Sequence, residues 1–286
     1  MNGILIVNKS KGYTSHDIVA KVKKITGEKV GHTGTLDPLA TGVLPLLIGK
    51  GTLCSKYLMN HDKTYIVVLK LGIKKSTGDE EGDVIQEEVV HENLLEEKQV
   101  KTALESFLGE QEQIPPMYSA IKVNGKKLYE YARKGQEVEI QPRKITIYDI
   151  QLLKIDRENC EIQFQVSCSK GTYIRSLCED IAKKMGTVGY MKALQRTRVG
   201  TFMIEQSVPI EDLNEKVIKK HIITIESLFK DLNSIELNEK KLQLFLNGVK
   251  LRFNLKEDIY KIYHNQQFIG IGIVKDNLLK RDIVLA

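Results

Sequence analysis

Gly31-His-Thr-Gly-Thr-Leu-Asp-Pro-Leu-Ala-Thr-Gly42 is the stretch on which the reading of this chain turns. Asp37 precedes Pro38, and a residue before proline is pushed out of the α region, while Asp-Pro marks a turn. Gly31, Gly34 and Gly42 let the backbone come close to a bulky ligand. Two readings of Asp37 stand side by side. It closes an Asx-turn on its own backbone, or its carboxylate is held extended at the mouth of a cleft. Apolar runs flank the loop, and polar loops cradled in a core usually carry function, which supports the second reading.

Working outward, residues 3–7 read as a strand. Thr14 or Ser15 then caps a helix with Ile18, Val19, Val22 and Ile25 at helical spacing, ending near Gly27. Beyond the loop, 43–48 is an apolar run and 63–73 a strand. Tyr65, Val67, Leu69 and Leu71 form one face of that strand, and the other face is also apolar at Ile66 and Val68, which predicts a central position. Asn93 with Glu96 resembles a capping box for a helix using Val100, Leu104, Phe107 and Leu108, closed by Gly109. A strand over 162–168 follows. Gly171-Thr-Tyr-Ile-Arg175 then opens a helix carrying Leu177, Ile181 and Met185 and stopped by Gly186. In the tail, a helix from Asn238 to Gly248 gives way to strands over 258–263, 268–274 and 278–285. The change of pattern places a boundary near residue 230, giving domains 1–230 and 231–286.

The chain has 286 residues, 42% of them hydrophobic and 28% charged, the profile of a soluble globular protein. No apolar run reaches the ~18 residues of a membrane span. The first residues lack a charged region followed by a long apolar one, so no signal peptide is expected. The cysteines at 54, 160, 168 and 178 form no Cys-x-x-Cys pair, and reduced thiols in a cytoplasmic protein are the simplest account. No heptad pattern argues for obligate assembly, so a monomer without an obligate protein partner is expected. The net charge of +6 is uneven: residues 79–112 hold 12 acids against two lysines, leaving +16 on the rest. Either the acidic run is a solvated face, or it points away while the cationic remainder meets a polyanion.

Further candidates come from side chains in unusual places. Arg175 stands at the start of a helix, where the dipole mildly disfavours a cation; beside a carboxylate it would keep that group ionised. Tyr65 is either a core tyrosine or a ring that stacks on a base with its hydroxyl placed for proton transfer. His32 has no second ligand at metal spacing, so no metal site is expected; it is a structural histidine or a flat side chain that meets a base. Residues 115–135 interleave Tyr118, Tyr129 and Tyr131 with Lys122, Lys126, Lys127, Arg133 and Lys134. Aromatic rings stack on unpaired bases while Lys and Arg neutralise phosphates, which points to single-stranded or looped RNA.

Gly31–Leu44, Lys63-Thr-Tyr65, the Pro115–Arg133 segment and Gly171–Arg175, in this order, resemble the signature blocks of the bacterial TruB-type tRNA pseudouridine-55 synthases. The resemblance covers most of residues 3–200. It implies an α+β fold, a mixed and largely antiparallel sheet flanked by helices, with a small β-rich PUA-like RNA-binding tail. It further implies isomerisation of uridine to pseudouridine at position 55 of the tRNA T-loop. Asp37 would be the nucleophile and Arg175 its partner; Tyr65 would stack on the extruded base, with a part in removing the C5 proton. His32, Tyr173 and Leu194 would line the nucleotide pocket. Lys9, Tyr118 and Lys122 would join in binding the substrate, the last two from an RNA-gripping insertion at about 115–144. The family's opening motif carries a proline where this chain has Ser10. An isomerisation consumes no water, redox equivalent or nucleotide, so no cofactor is expected. The competing reading is an RNA-binding or tRNA-folding protein without essential catalysis. Against it, a carboxylate in a phosphate-facing cleft would only repel the ligand of a pure binder.

Overall fold

The computed structural model describes residues 1–136 and 138–285; Glu137, within the expected insertion, and Ala286, at the end of the expected tail domain, lie outside them. β1 (Gly3–Lys9) runs directly into the capped helix α1 (Ser15–Thr26). Thr14 accepts from the Asp17 amide while Asp17 accepts from the Thr14 amide, and Gly27 ends the helix in the left-handed conformation. The loop residues then divide between β2 (Val30–His32) and β3 (Thr41–Ile48), with the Asp-Pro turn between them.

Among the described residues the main sheet has ten strands, eight of them along one path, with β2 beside β3 and Phe202–Met203 beside Gly189–Val199 off it. Along that path the order is Val208–Pro209, β1, β3, Gly189–Val199, β4 (Lys63–Leu71), Glu161–Cys168, Arg143–Asp156 and Gly109–Gln113. Neighbours are antiparallel except β1 with Val208–Pro209 and β3 with Gly189–Val199. The sheet is therefore mixed and largely antiparallel, as the resemblance implies. β4 is interior, as its two apolar faces predict, and pairs with Glu161–Cys168 on one side and Gly189–Val199 on the other. The second strand partner has no clean alternation and carries no sequence signal.

One expected feature does not form. Residues Glu92–Leu95 make a 3-10 turn, and the helix that follows, Glu97–Glu105, starts from Glu96 without a side-chain cap. The Asn93–Glu96 capping box is thus absent, because Glu96 serves as the cap position itself. Leu108 is left exposed.

The tail folds as a second sheet in the order Ser234–Glu236, Asp258–His264, Gln267–Lys275, Leu278–Val284, Leu251–Arg252. Asn265, Gln266, Asp276 and Asn277 all have positive φ, as tight two-residue hairpin turns require. β1 is buried on both faces. Leu5 and Val7 join the large core with α1 and β4, while Ile4 and Ile6 pack with Phe229, Ile271 and Ile283. The reverse face of the main sheet at β1 and β3 is thereby covered by the tail, and the Asp-Pro turn packs on the other side.

Candidate active site

The Asp37 turn is held from below. Leu36 and Leu39 are buried, anchoring the loop on either side of the Asp37–Pro38 pair. The Ser15 hydroxyl donates to the Leu36 carbonyl at 3.0 Å and accepts from its amide at 2.8 Å. Lys9, fully buried, donates to the carbonyls of Ser10, Tyr13 and Pro38 at 3.1, 2.6 and 3.1 Å. Burial pushes its ammonium down to about 8, against the opposing pull of Asp37. Lys9 thus supports the turn from inside and is not among the residues that line the cavity above it. It does this although Ser10 replaces the family's proline.

The cavity has a volume of about 480 Å³, within the range of small-molecule sites. Asp37 stands in its wall with its side chain 37% exposed, and Arg175 Nη2 lies 3.3 Å from Asp37 Oδ2. Arg175 is the second residue of the helix Ile174–Lys184. Its guanidinium also donates to the carbonyls of Tyr118 at 2.9 Å and Thr77 at 3.3 Å, and Nη1 lies 3.5 Å from Asp79 Oδ2. Asp79 in turn accepts from the Thr77 hydroxyl at 2.5 Å and the Glu81 amide at 3.2 Å. Two carboxylates therefore share one buried cation, and only Asp37 faces the open space.

Tyr65 and Arg196 form the floor. They are opposite each other in the β4 pairing with Gly189–Val199, and the Arg196 guanidinium acts electrostatically on the Tyr65 hydroxyl. Arg196 is 2% exposed. It also donates to the carbonyls of Val43 at 2.8 Å and Gly34 at 3.1 Å, tying the floor to both arms of the Asp37 loop. Gly42 permits this approach: a Cβ there would sit 2.2 Å from the Arg196 carbonyl, at φ +102°. Burial pushes the Tyr65 hydroxyl up to about 12, with Arg196 opposing. In the free protein the hydroxyl accordingly keeps its proton well above neutral pH.

Leu194, Tyr173 and Tyr118 complete the walls, with Lys63. Gln113 fixes Tyr173 by a paired bond, donating to its carbonyl at 3.0 Å and accepting from its amide at 2.8 Å. Lys63 is buried, donates to the His61 carbonyl at 2.6 Å, and has its ammonium pulled below the usual lysine range by burial and then by Arg196. His32 lies half-buried on β2, outside the cavity lining, its ring pulled below the ordinary histidine value by burial and then Arg196. Lys122 is exposed in a short hairpin, Lys122–Val123 with Lys126–Lys127, also away from the lining. That hairpin and the short helix Leu128–Ala132 give 115–136 more order than its irregular sequence suggests.

Asp79, Arg196, Lys63 and Ser119 belong to this region without being singled out by the sequence, although Lys63 and Ser119 lie inside the signature blocks. Asp79 heads the acidic run that reads as one solvated or outward face, but it is 4% exposed while most of the run is exposed. The Thr77-Gly78 turn before it is the one local signal. Arg196 emerges only through strand pairing.

Comparison with known proteins bears on the family and the fold. The sequence model for the TruB family pseudouridylate synthase (N terminal domain) matches residues 22–174, and that for the tRNA pseudouridylate synthase B C-terminal domain matches 175–237. The chain is 47% identical over 279 residues to the tRNA pseudouridine synthase B of Clostridium tetani, covering 95% of each. It is 44% identical to that of Clostridium novyi, covering all of both. Among solved structures it superposes on a chain of a Cbf5-Nop10-Gar1 complex with a TM-score of 0.68 at 27% identity, covering 95% of this chain and 78% of that one. A chain of an H/ACA RNP bound to a substrate RNA containing 2'-deoxyuridine gives a TM-score of 0.70 at 24% identity, covering 99% and 85%, and attests the fold alone. With both sequence models and full-length relatives in agreement, the chain belongs to the TruB family of pseudouridylate synthases.

Proposed function

We propose that this enzyme converts uridine to pseudouridine at position 55 of the tRNA T-loop, with Asp37 as its nucleophile. The observation that carries the reading is the Asp37–Arg175 pair at 3.3 Å in the wall of the cavity: a carboxylate nucleophile must be ionised, and an adjacent guanidinium favours that form. The target nucleotide leaves its loop and enters the cavity, where Tyr65 stacks on the base and Leu194 and Tyr173 enclose it. Asp37 bonds covalently to the nucleotide as the N1–C1′ bond breaks. The base turns, C5 bonds to C1′, the carboxylate leaves, and the C5 proton departs while N1 gains one. Substrate and product have the same atoms.

The cationic side chains support the same reading. Lys63, Arg175 and Arg196 outnumber Asp37 around the cavity, which suits a ligand rich in phosphate. Residues 115–144 would grip the T-arm through Tyr118, Lys122 and the exposed Lys126, Arg133 and Lys134, and residues 231–286 would form a separate RNA-binding domain. Extruding a base costs a few kcal/mol, and stacking at ~1–3 kcal/mol per base offsets it. Incubating the enzyme with a tRNA transcript and mapping the modified position tests the proposal. Conversion at the T-loop uridine is expected; conversion elsewhere, or none, would overturn it.

A further inference from the structure

Ser119 lines the same cavity, yet its side chain takes part in none of the contacts around Asp37. It is 5% exposed, and its hydroxyl has no hydrogen-bond partner among the described residues. His32, Thr33, His61 and Thr187 also carry such an atom, but none of them lines the cavity. The backbone around Ser119 is fixed on both sides. The Tyr118 carbonyl accepts from Arg175 at 2.9 Å, the Ser119 carbonyl from the Tyr129 amide at 3.1 Å, and the Ile121 carbonyl from the Leu128 amide at 2.8 Å. Since Arg175 also meets Asp37, the hydroxyl is held in a set relation to the carboxylate.

Buried polar groups in native proteins are almost always hydrogen-bonded, and each exception calls for a cause. A ligand that completes the bond is one such cause. Uracil brings two carbonyl oxygens and one N–H into the cavity, all of which lose water on entering and need new partners. A serine hydroxyl both donates and accepts, so it can satisfy either kind of group.

We propose that the Ser119 hydroxyl is a substrate contact that hydrogen-bonds the uridine held in the cavity. This rests on the uridine-isomerising reading above and adds a residue from the RNA-gripping segment to the site itself. It also accounts for the pinning of that segment by Arg175: the arm that binds RNA outside contributes one polar group inside.

The test compares Ser119→Ala with the wild-type enzyme in two measurements, kcat/KM on a tRNA transcript and the thermal midpoint of the free protein. Losing one ordinary hydrogen bond to the substrate lowers kcat/KM about 3- to 10-fold. The midpoint should hold or rise, because alanine removes a hydroxyl that has no partner in the free protein. Ser119→Cys, close in size but a weak donor, should fall between serine and alanine in kcat/KM. Unchanged kcat/KM for Ser119→Ala would overturn the proposal, as would a fall matched by a lower midpoint, which marks a structural hydroxyl. Wild-type turnover on the same transcript reads the isomerase proposal separately from Ser119.

Discussion

Arg175 Nη1 lies 3.5 Å from Asp79 Oδ2, with both side chains more than nine-tenths buried, and this pairing aims the guanidinium whose other nitrogen meets Asp37. The partner of Asp37 is thus itself held by a second carboxylate out of reach of the cavity. Removing one member of a buried ion pair leaves the other uncompensated and costs about 3–5 kcal/mol. Arg175→Met should lose stability on that scale in urea unfolding as well as losing turnover. A loss within ~0.5 kcal/mol, the usual range for surface changes, would mean that Asp79 is solvated and the pair does not organise the site.

Tyr65→Phe should bind tRNA within a few fold of wild type while turnover falls roughly 10- to 100-fold, at or below the usual contribution of a placed proton-transfer group. A collapse of binding would instead make the Tyr65 hydroxyl a structural or binding group, since phenylalanine keeps the stacking ring.

The same variant has a pH signature. The folded chain keeps the Tyr65 proton up to about 12, whereas an unfolded tyrosine releases it near 10. Between these values the folded state binds more protons, so stability is lost as pH rises through the window. Tyr65→Phe lacks this loss, and the stability gap between wild type and variant should shrink from pH 10 to 12 in urea titrations. A gap independent of pH would show that Tyr65 titrates normally.

Gly42→Ala should cost about 2–4 kcal/mol, combining a strained backbone with overpacking, because its Cβ would collide with the Arg196 carbonyl. Thermal unfolding would measure it. A neutral outcome would mean that β3 and the Gly189–Val199 strand separate easily.

Replacing the exposed Lys126 and Lys134 by alanine should weaken tRNA binding and flatten its salt dependence. The slope of log K against log salt should fall by about 0.7–0.9 for each phosphate that is no longer neutralised, with unfolding unchanged. An unaltered slope would place the RNA elsewhere.

Much of this architecture is legible in the sequence. Period-2 and helical patterns with their caps locate β1, α1, β4, the Ile174–Lys184 helix and the tail hairpins, since each carries its own local signal. The resemblance also names Asp37, Arg175, Tyr65, Tyr173, Leu194 and Tyr118, all of which the fold brings around one cavity. Lys9, His32 and Lys122 come from the same resemblance but sit under, beside and away from it. What stays hidden depends on pairing between distant strands. Arg196 matters because it faces Tyr65 across a strand pair more than 100 residues apart in sequence. Asp79 is masked by its acidic neighbours, and the Thr77-Gly78 turn that folds it inward is the one local feature that sets it apart.

The claim that Asp37 is the nucleophile is tested most directly by Asp37→Asn on a tRNA transcript, scoring pseudouridine and affinity together. No pseudouridine, with affinity within a few fold of wild type, is the expected result. Turnover near wild type would contradict it.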